Sequence, residues 1–349
     1  MAERVRVLVL CVDGSPALDA LPEIENVELV VCTDASRLLG SESADAQNEI
    51  GPLDSFTAVL YVPPADPAQL CEVWKSGKLQ NIKWVHSFSA GVDKLRNFIA
   101  ECLLDADGKD NGIPLTNGRG AFSSSLAEFV FCAALHFKKQ VPRCQELKRS
   151  ANWNPFVMQV LRGRTMAFAG FGNIARATAQ IAKAFGMRVV ALRRSATVSS
   201  DDAALLDAAY TSEQKHEMLA AADFVVSSLP GTPETVDFFD AAAFGSMKRS
   251  AVFISVGRGT VVDEDALVDA LENNAIAGAA LDVYKSEPLA RTSRLWECDK
   301  LLMTHHNADY TEDYFALGWS VWRENLECFL RGASSTDRMA TPVDKLKGY

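Results

Sequence analysis

The sequence predicts an α/β chain built from two doubly wound parallel sheets. Short runs rich in β-branched residues alternate with amphipathic segments of helical length, and this alternation indicates parallel βαβ units. A glycine turn at residues 170–175 follows one of these runs and opens a predicted helix. The 349 residues are enough for two domains of ordinary size.

The first third of the chain predicts a flavodoxin-like sheet. Its β-branched runs have the length of strands, and the segments between them have the length of helices. We expect strands at 6–12, 28–32, 58–62, 82–86 and 113–116, and helices at 67–76 and 91–103.

A long apolar helix is predicted next, at 123–139. Ser125 and Glu128 have the spacing of a capping box, which favours a helix start nearby. Apolar residues lie on most sides of this helix, so we expect it to be buried between domains or between subunits. These residues are Leu126, Phe129, Val130, Phe131, Ala133 and Leu135.

A second βαβ series predicts a six-stranded Rossmann sheet. Its strands are expected at 165–169, 188–192, 224–229, 251–256, 278–283 and 301–304. An aromatic helix at 314–330 ends the chain, and we expect it to pack back on the first domain. The first domain is therefore discontinuous in this interpretation, 1–119 with 310–349, and the Rossmann domain at 120–309 is inserted into it.

Charge and cysteine usage exclude several classes of protein. The net charge of −10 argues against a general binder of nucleic acid or of anionic membranes. Eight cysteines occur without any CxxC pair, which favours reduced thiols over disulfides or a metal site. The first residues are typical of a short strand and not of a signal peptide. We therefore expect a cytoplasmic protein without a metal.

The glycine turn predicts a phosphate-binding site for a dinucleotide. Gly170 and Gly172 allow a tight turn and close approach to a pyrophosphate, and the amides of Asn173 and Ile174 begin the helix that follows. Ala175 stands where the third glycine of the pattern is usual, and one methyl group is usually tolerated there.

The end of the next strand bears on the choice of cofactor. An acid is expected about 20 residues after the glycine turn, where it binds the ribose 2′-hydroxyl. Arg193 fills that position, followed by Arg194 and Ser195. These side chains offer donors to a 2′-phosphate, so the sequence predicts a preference for NADP(H), with NAD(H) as the second option. The alternative is a pair of solvated arginines at a strand end.

Three further segments, at 255–259, 281–289 and 303–309, follow predicted strands of the second sheet. Together with 170–175 they resemble the D-isomer-specific 2-hydroxyacid dehydrogenases in order and spacing, over nearly the whole chain. The resemblance implies a dehydrogenase that interconverts a small 2-oxo acid and its D-2-hydroxy acid with a nicotinamide cofactor.

The residue types fit that chemistry. Reduction of a 2-oxo acid needs a clamp for the carboxylate, a hydride donor and a proton. Arg258 can bind the carboxylate with its fork of donors, and His306 can supply the proton near neutral pH. Glu287 can orient His306 and favour its protonated form. The resemblance implies these three catalytic roles.

One departure from the family concerns the histidine. The family has Thr-Pro-His where this chain has Thr304, His305 and His306. Chemistry alone leaves the acid open between two adjacent histidines, whereas the family spacing selects His306.

The resemblance also implies contacts outside these three residues. The backbone amides of Ala90 and Gly91 are expected to meet the substrate carboxylate, together with Arg258 and His306. Further contacts to the cofactor are expected from Leu229, Pro230, Thr235, Val256, Gly257, Arg258, Asp282, His306 and Asp309.

The leading hypothesis is an NADPH-preferring reductase of the glyoxylate/hydroxypyruvate type. One alternative keeps the fold and makes the chain an NAD-dependent D-lactate or 3-phosphoglycerate dehydrogenase. Another is a dinucleotide-sensing scaffold like the corepressors of the family. The resemblance implies a homodimer, with the helix at 123–139 and the segment through Trp153 exchanged between subunits.

Overall fold

The chain forms two compact units, each built on a parallel sheet. The computed structural model describes residues 4–39, 50–194, 199–333 and 335–349. One unit is Met1–Phe122 with Glu312–Tyr349, and the other is Ser123–Thr311. All strand pairs in both sheets are parallel, which confirms the predicted fold class.

Within the described residues the first unit holds a five-stranded sheet in the order β2-β1-β3-β4-β5. This is the flavodoxin-like order, in which the chain reverses its direction of growth between β1 and β3. The strands are β1 (Val5–Leu10), β2 (Val27–Cys32), β3 (Ala58–Tyr61), β4 (Trp84–Ser87) and β5 (Leu115–Asn117).

The helices of this unit follow the prediction in part. The first runs over Pro67–Lys75, as expected. The single helix predicted at 91–103 is wrong, because the chain there forms a 3₁₀ turn, one short α turn and a π turn at Ile99–Leu103. The carbonyls of Cys102 and Leu103 accept side-chain hydrogen bonds from Asn111 and Lys345, at 3.0 and 3.5 Å, so partners outside the helix satisfy its last turn.

The aromatic helix Tyr314–Leu330 packs on the sheet of this first unit. Trp319 and Trp322 join a buried cluster with Val9 and Trp84, and the Trp319 indole donates to the carbonyl of Ala17 at 3.0 Å. Alternate residues of β1, such as Leu8 and Leu10, point into a second cluster on the opposite face. Both faces of the sheet are therefore buried, which accounts for its near-continuous apolar strands.

The second unit holds a seven-stranded sheet over the part of the chain that the structure describes, in the order β12-β11-β10-β9-β6-β7-β8. This is the Rossmann order with one added strand, and the switch point lies between β6 and β9. The strands are β6 (Thr165–Ala169), β7 (Arg188–Leu192), β8 (Ala208–Tyr210), β9 (Phe224–Ser227), β10 (Val252–Ser255), β11 (Gly278–Leu281) and β12 (Leu301–Met303).

The prediction of six strands is wrong by one. The missed strand, β8, is three residues long and contains two alanines, so it lacks the β-branched run that indicates a strand. It pairs at the edge of the sheet with β7, the strand that ends one residue before Arg193.

Helices cover both faces of this sheet. They are Ser123–Lys138, Val141–Arg149, Asn173–Ala184, Ser200–Leu205, Lys215–Ala221, Ala241–Ser246 and Glu264–Glu272. None of the helices among the described residues combines the length and the apolar character needed to cross a bilayer.

The long helix Ser123–Lys138 packs on Asn173–Ala184 and on β10 of its own unit. Phe131 stacks on Phe185 at 5.1 Å between ring centroids. Leu126 and Val130 are buried as well. Packing inside one unit therefore already covers much of the apolar side that we expected between domains or subunits. The helix begins at Ser123, so Ser125 lies within its first turn.

Candidate active site

The glycine turn joins β6 to the helix Asn173–Ala184. Gly170 has φ = +82°, a conformation that side chains disfavour. Gly172 precedes the helix, and a Cβ built on it meets no atom within 4 Å, so the helix N-terminus is open on that side. Ala175 is fully buried, as close packing between strand and helix requires. The turn therefore fits the pyrophosphate of a dinucleotide, with the amides of Asn173 and Ile174 at the helix start.

Arg193 lies immediately after β7, as the spacing predicts, and it is paired with a carboxylate that the sequence analysis missed. Its Nη1 lies 2.7 Å from Oδ2 of Asp202, which is 1% exposed. Arg176 binds the same carboxylate through Nε at 2.7 Å and Nη2 at 3.2 Å. The Arg176 guanidinium, and then that of Arg193, lower the pKa of Asp202 to about 2. Arg194 is exposed, and Ser195 lies outside the described residues.

The loop after β9 lies against the glycine turn. The Leu229 side chain comes within 3.1 Å of a Cβ built on Gly170. Thr235 closes the loop, because its hydroxyl donates to the carbonyl of Pro230 at 2.6 Å and accepts from the amide of Thr232 at 2.9 Å. Leu229 thus lies next to the glycine turn, and Pro230 and Thr235 belong to the same loop, which the sequence analysis expects to bind the cofactor.

Arg258 follows β10 and lies between two glycines, which explains the spacing of that motif. A Cβ on Gly257 would lie 2.5 Å from the carbonyl oxygen of Leu229. A Cβ on Gly259 would lie 1.9 Å from the carbonyl carbon of Tyr284. The backbone around Arg258 is therefore closely packed between the loops after β9 and β11, and Val256 connects it to the end of β10.

Glu287 and His306 form a direct pair. The imidazole Nδ1 lies 2.6 Å from Glu287 Oε2, and the amide of Tyr284 donates to Oε1 of the same carboxylate at 2.9 Å. The His306 and Glu287 side chains are 42% and 35% exposed, so a small molecule can reach them. His305 instead has its ring 6.1 Å from that of Trp296. The ring that meets the carboxylate is thus that of His306, the histidine selected by the spacing.

Asp282 fixes the loop that carries His306. Its carboxylate is buried, and Oδ1 accepts hydrogen bonds from the Thr304 hydroxyl at 2.7 Å and from the amides of Asn307 and Ala308 at 3.0 and 3.1 Å. Its carbonyl accepts the amide of His306 at 2.8 Å. The contacts of Asp282 within the chain are therefore those of a residue that positions a loop, whereas the sequence analysis expected a contact to the cofactor.

Tyr284 links the same two loops, and sequence reasoning missed it. Its hydroxyl donates to the carbonyl of Thr304 at 2.6 Å, while its amide holds Glu287. Burial raises the pKa of the phenol, so it stays a protonated donor. A tyrosine three residues before the glutamate is the only signal that the sequence gives for this link.

Asp309 belongs to the same electrostatic neighbourhood. Burial raises the pKa of its carboxyl, and the nearby His306 and Arg258 side chains act in the opposite direction. Asp309 is thus close enough to Arg258 and His306 for an electrostatic interaction.

Ala90 and Gly91 belong to the other unit, where they follow β4. The side-chain amide of Asn117 donates to the carbonyl of Ala90, and Ala90 is exposed.

Comparisons with known proteins agree with this geometry. Residues 131–308 match the model of the D-isomer specific 2-hydroxyacid dehydrogenase, NAD binding domain. A glyoxylate reductase from Aeropyrum pernix is 32% identical over 68% of this chain and 72% of its own length. A putative D-3-phosphoglycerate dehydrogenase from Schizosaccharomyces pombe is 34% identical over 67% of this chain and 55% of its own length.

A solved structure extends the similarity to the whole chain. A D-isomer specific 2-hydroxyacid dehydrogenase from Xanthobacter autotrophicus, in complex with NADPH and MES, is similar with a TM-score of 0.74 and 25% identity, and the match covers 98% of this chain and 99% of that one. The chain belongs to the D-isomer specific 2-hydroxyacid dehydrogenase family. It is an NAD(P)-binding oxidoreductase of D-2-hydroxy acids.

Proposed function

We propose that this chain reduces a small 2-oxo acid of the glyoxylate or hydroxypyruvate type to the D-2-hydroxy acid, with NADPH as the preferred reductant. The observation that carries the proposal is the Glu287–His306 pair at 2.6 Å, which follows β11 and β12, with Arg258 at the end of the neighbouring strand β10. The glyoxylate reductase among the relatives supports the substrate class.

Arg258, His306 and Glu287 each have a separate role in the proposed reduction. The reduced nicotinamide, when bound, supplies the hydride. The Arg258 guanidinium binds the substrate carboxylate and polarises the ketone. His306 gives the proton from Nε2 to the oxygen of the former ketone, since Nδ1 is held by Glu287. The negative charge of Glu287 stabilises the imidazolium before the transfer.

The remaining predicted contacts keep their proposed roles. The turn Gly170–Gly172 with Asn173 and Ile174 holds the pyrophosphate. Contacts to the rest of the cofactor come from Leu229, Pro230, Thr235, Val256, Gly257 and Asp309, whereas Asp282 acts through the loop that carries His306. We assign Ala90 and Gly91, through their amides, to the substrate carboxylate.

Charge at the end of β7 supports the proposed preference for NADPH. Arg193 and Arg194 stand where an acid would repel a 2′-phosphate, and Arg193 is held in place by an ion pair. The structurally similar dehydrogenase from X. autotrophicus was solved with NADPH.

A second candidate function is that of an NAD-dependent 3-phosphoglycerate or D-lactate dehydrogenase. The putative D-3-phosphoglycerate dehydrogenase from S. pombe favours the first of these. Its match to this chain covers 55% of its own length. A dinucleotide-sensing scaffold without turnover is the remaining alternative.

The two adjacent histidines allow a direct test of the catalytic assignment. We expect His306→Ala to lower kcat for glyoxylate with NADPH by about 10²–10⁴-fold, the usual contribution of general acid catalysis. His305→Ala is the matched control and should leave turnover close to that of the wild type. Steady-state kinetics measure both, and loss of turnover in His305→Ala alone would reverse the assignment.

The substrate and the cofactor are tested together. We expect kcat/KM for glyoxylate or hydroxypyruvate to exceed that for pyruvate and 3-phosphohydroxypyruvate, and NADPH to exceed NADH by about tenfold or more, since each hydrogen bond to a charged group contributes about 1.5–3 kcal/mol. Faster reduction of 3-phosphohydroxypyruvate or of pyruvate with NADH would favour the second candidate. Absence of turnover with every pair would favour the scaffold.

We also propose that the protein is a homodimer. Residues 152–160 form neither helix nor strand, yet they expose Trp153 by 94% and Val157 by 88%. Hydrogen bonds hold the segment, because the backbone amide of Gln159 donates to the carbonyl of Lys138 at 3.0 Å and the side-chain amide of Gln140 donates to the carbonyl of Val157 at 3.1 Å. Exposed apolar side chains on a fixed segment are typical of an interface between proteins.

We also propose a cytoplasmic location. All eight cysteines are free thiols, which supports it.

Sedimentation measures the dimer directly. We expect the wild type to sediment as a dimer and the double variant Trp153→Ser, Val157→Ser to sediment as a monomer. Leu346→Ser removes another exposed apolar side chain, 68% exposed, and should remain dimeric. A monomeric wild type would contradict the proposal.

A further inference from the structure

A buried carboxylate lies between the two arginines next to the predicted 2′-phosphate position. Asp202 accepts from Arg176 and from Arg193, and its oxygen Oδ2 accepts from both guanidiniums, at 3.2 and 2.7 Å. Arg176 belongs to the first turns of the helix Asn173–Ala184, and Arg193 follows β7. Two elements that flank the cofactor site are thus joined through one side chain.

Asp202 is placed for this role by its own helix. It lies in Ser200–Leu205, and its amide donates to the hydroxyl of Ser199 at 3.2 Å. The carboxylate is 1% exposed, so a ribose hydroxyl would have to displace a guanidinium to reach it. Asp202 therefore does not replace the acid that is missing at position 193.

The electrostatic consequence concerns the two cations. Guanidinium groups repel each other, and a carboxylate that both share holds them close together and fixes their planes. Two positive charges and one negative charge leave a net positive charge beside the strand end. Arg193 is 17% exposed and Arg176 is 42% exposed, so both cations remain accessible from solvent.

We infer that Asp202 is a positioning residue for cofactor selection: it holds Arg176 and Arg193 together as one cationic clamp for the 2′-phosphate of NADPH. The inference rests on the proposed preference for NADPH. It adds Arg176 and Asp202 to the residues that determine specificity. It also means that removal of a negative charge weakens the binding of an anion, the opposite of what simple charge counting suggests.

Binding of two adenosine nucleotides tests the clamp without turnover. Adenosine 2′,5′-bisphosphate carries the 2′-phosphate and 5′-AMP lacks it. The Kd of 5′-AMP divided by the Kd of the bisphosphate is therefore a ratio that isolates the contribution of that group. We expect calorimetric titration of Asp202→Asn to show this ratio reduced about tenfold relative to the wild type, with Asp202→Glu recovering part of it. Arg176→Gln changes a more exposed side chain and should also reduce the ratio.

Asp207→Asn is the matched control. Asp207 pairs at 2.6 Å with Lys183, which lies in the same helix as Arg176. Asp207 contacts neither arginine of the clamp, so its loss should leave the ratio unchanged. A merely structural role of Asp202 would change stability and both Kd values together, and would leave the ratio of the Kd values as it is.

The outcomes separate this inference from the proposed function. A wild type that favours the bisphosphate, with a ratio unchanged or increased in Asp202→Asn and in Arg176→Gln, would overturn the clamp alone. A wild type that binds both nucleotides equally would overturn the preference for NADPH and the clamp with it.

Discussion

The hydrogen bonds accepted by the buried carboxylate of Asp282 hold the loop that presents His306. Three donors from residues 304–308 meet one oxygen of this carboxylate. His306 has φ = +54°, a conformation that costs about 1–3 kcal/mol for a residue other than glycine. Hydrogen bonds to a charged acceptor contribute about 1.5–3 kcal/mol each, enough to offset that strain. The position of the imidazole that we propose as the proton donor thus depends on a side chain that solvent does not reach.

Close backbone contacts place the other two groups. Gly257 and Gly259 bring the chain around Arg258 against the loops after β9 and β11, where a Cβ would overlap backbone atoms. Tyr284 then connects the loop of Glu287 to that of His306 by its amide and its hydroxyl. The arginine, the glutamate and the histidine are consequently fixed by one set of interlocking loops at the carboxyl ends of β10, β11 and β12, as expected for a doubly wound sheet.

Much of this could be predicted from the sequence, because the signals are local. The glycine turn, the strand before it and the spacing to Arg193 are set within about 30 residues, the length of one βαβ unit. The pair of Arg193 with Asp202 could not be predicted, because it depends on how the chain returns after β7. The broken helix at 91–103 was missed because tertiary partners such as Asn111 and Lys345 bind its last carbonyls. The strand β8 was missed because its three residues lack a β-branched run. For Asp282 the residue was identified, but not the donors that its carboxylate meets.

The most direct test of the account is the behaviour of Asp282→Asn, measured as kcat and as the Kd of NADPH. We expect kcat to fall by roughly 100-fold, the effect of a displacement of about 1 Å at a catalytic group, while the Kd of NADPH stays near that of the wild type. A weakened Kd with unchanged kcat would contradict the account, because Asp282 would then act on the cofactor and not on the loop of His306.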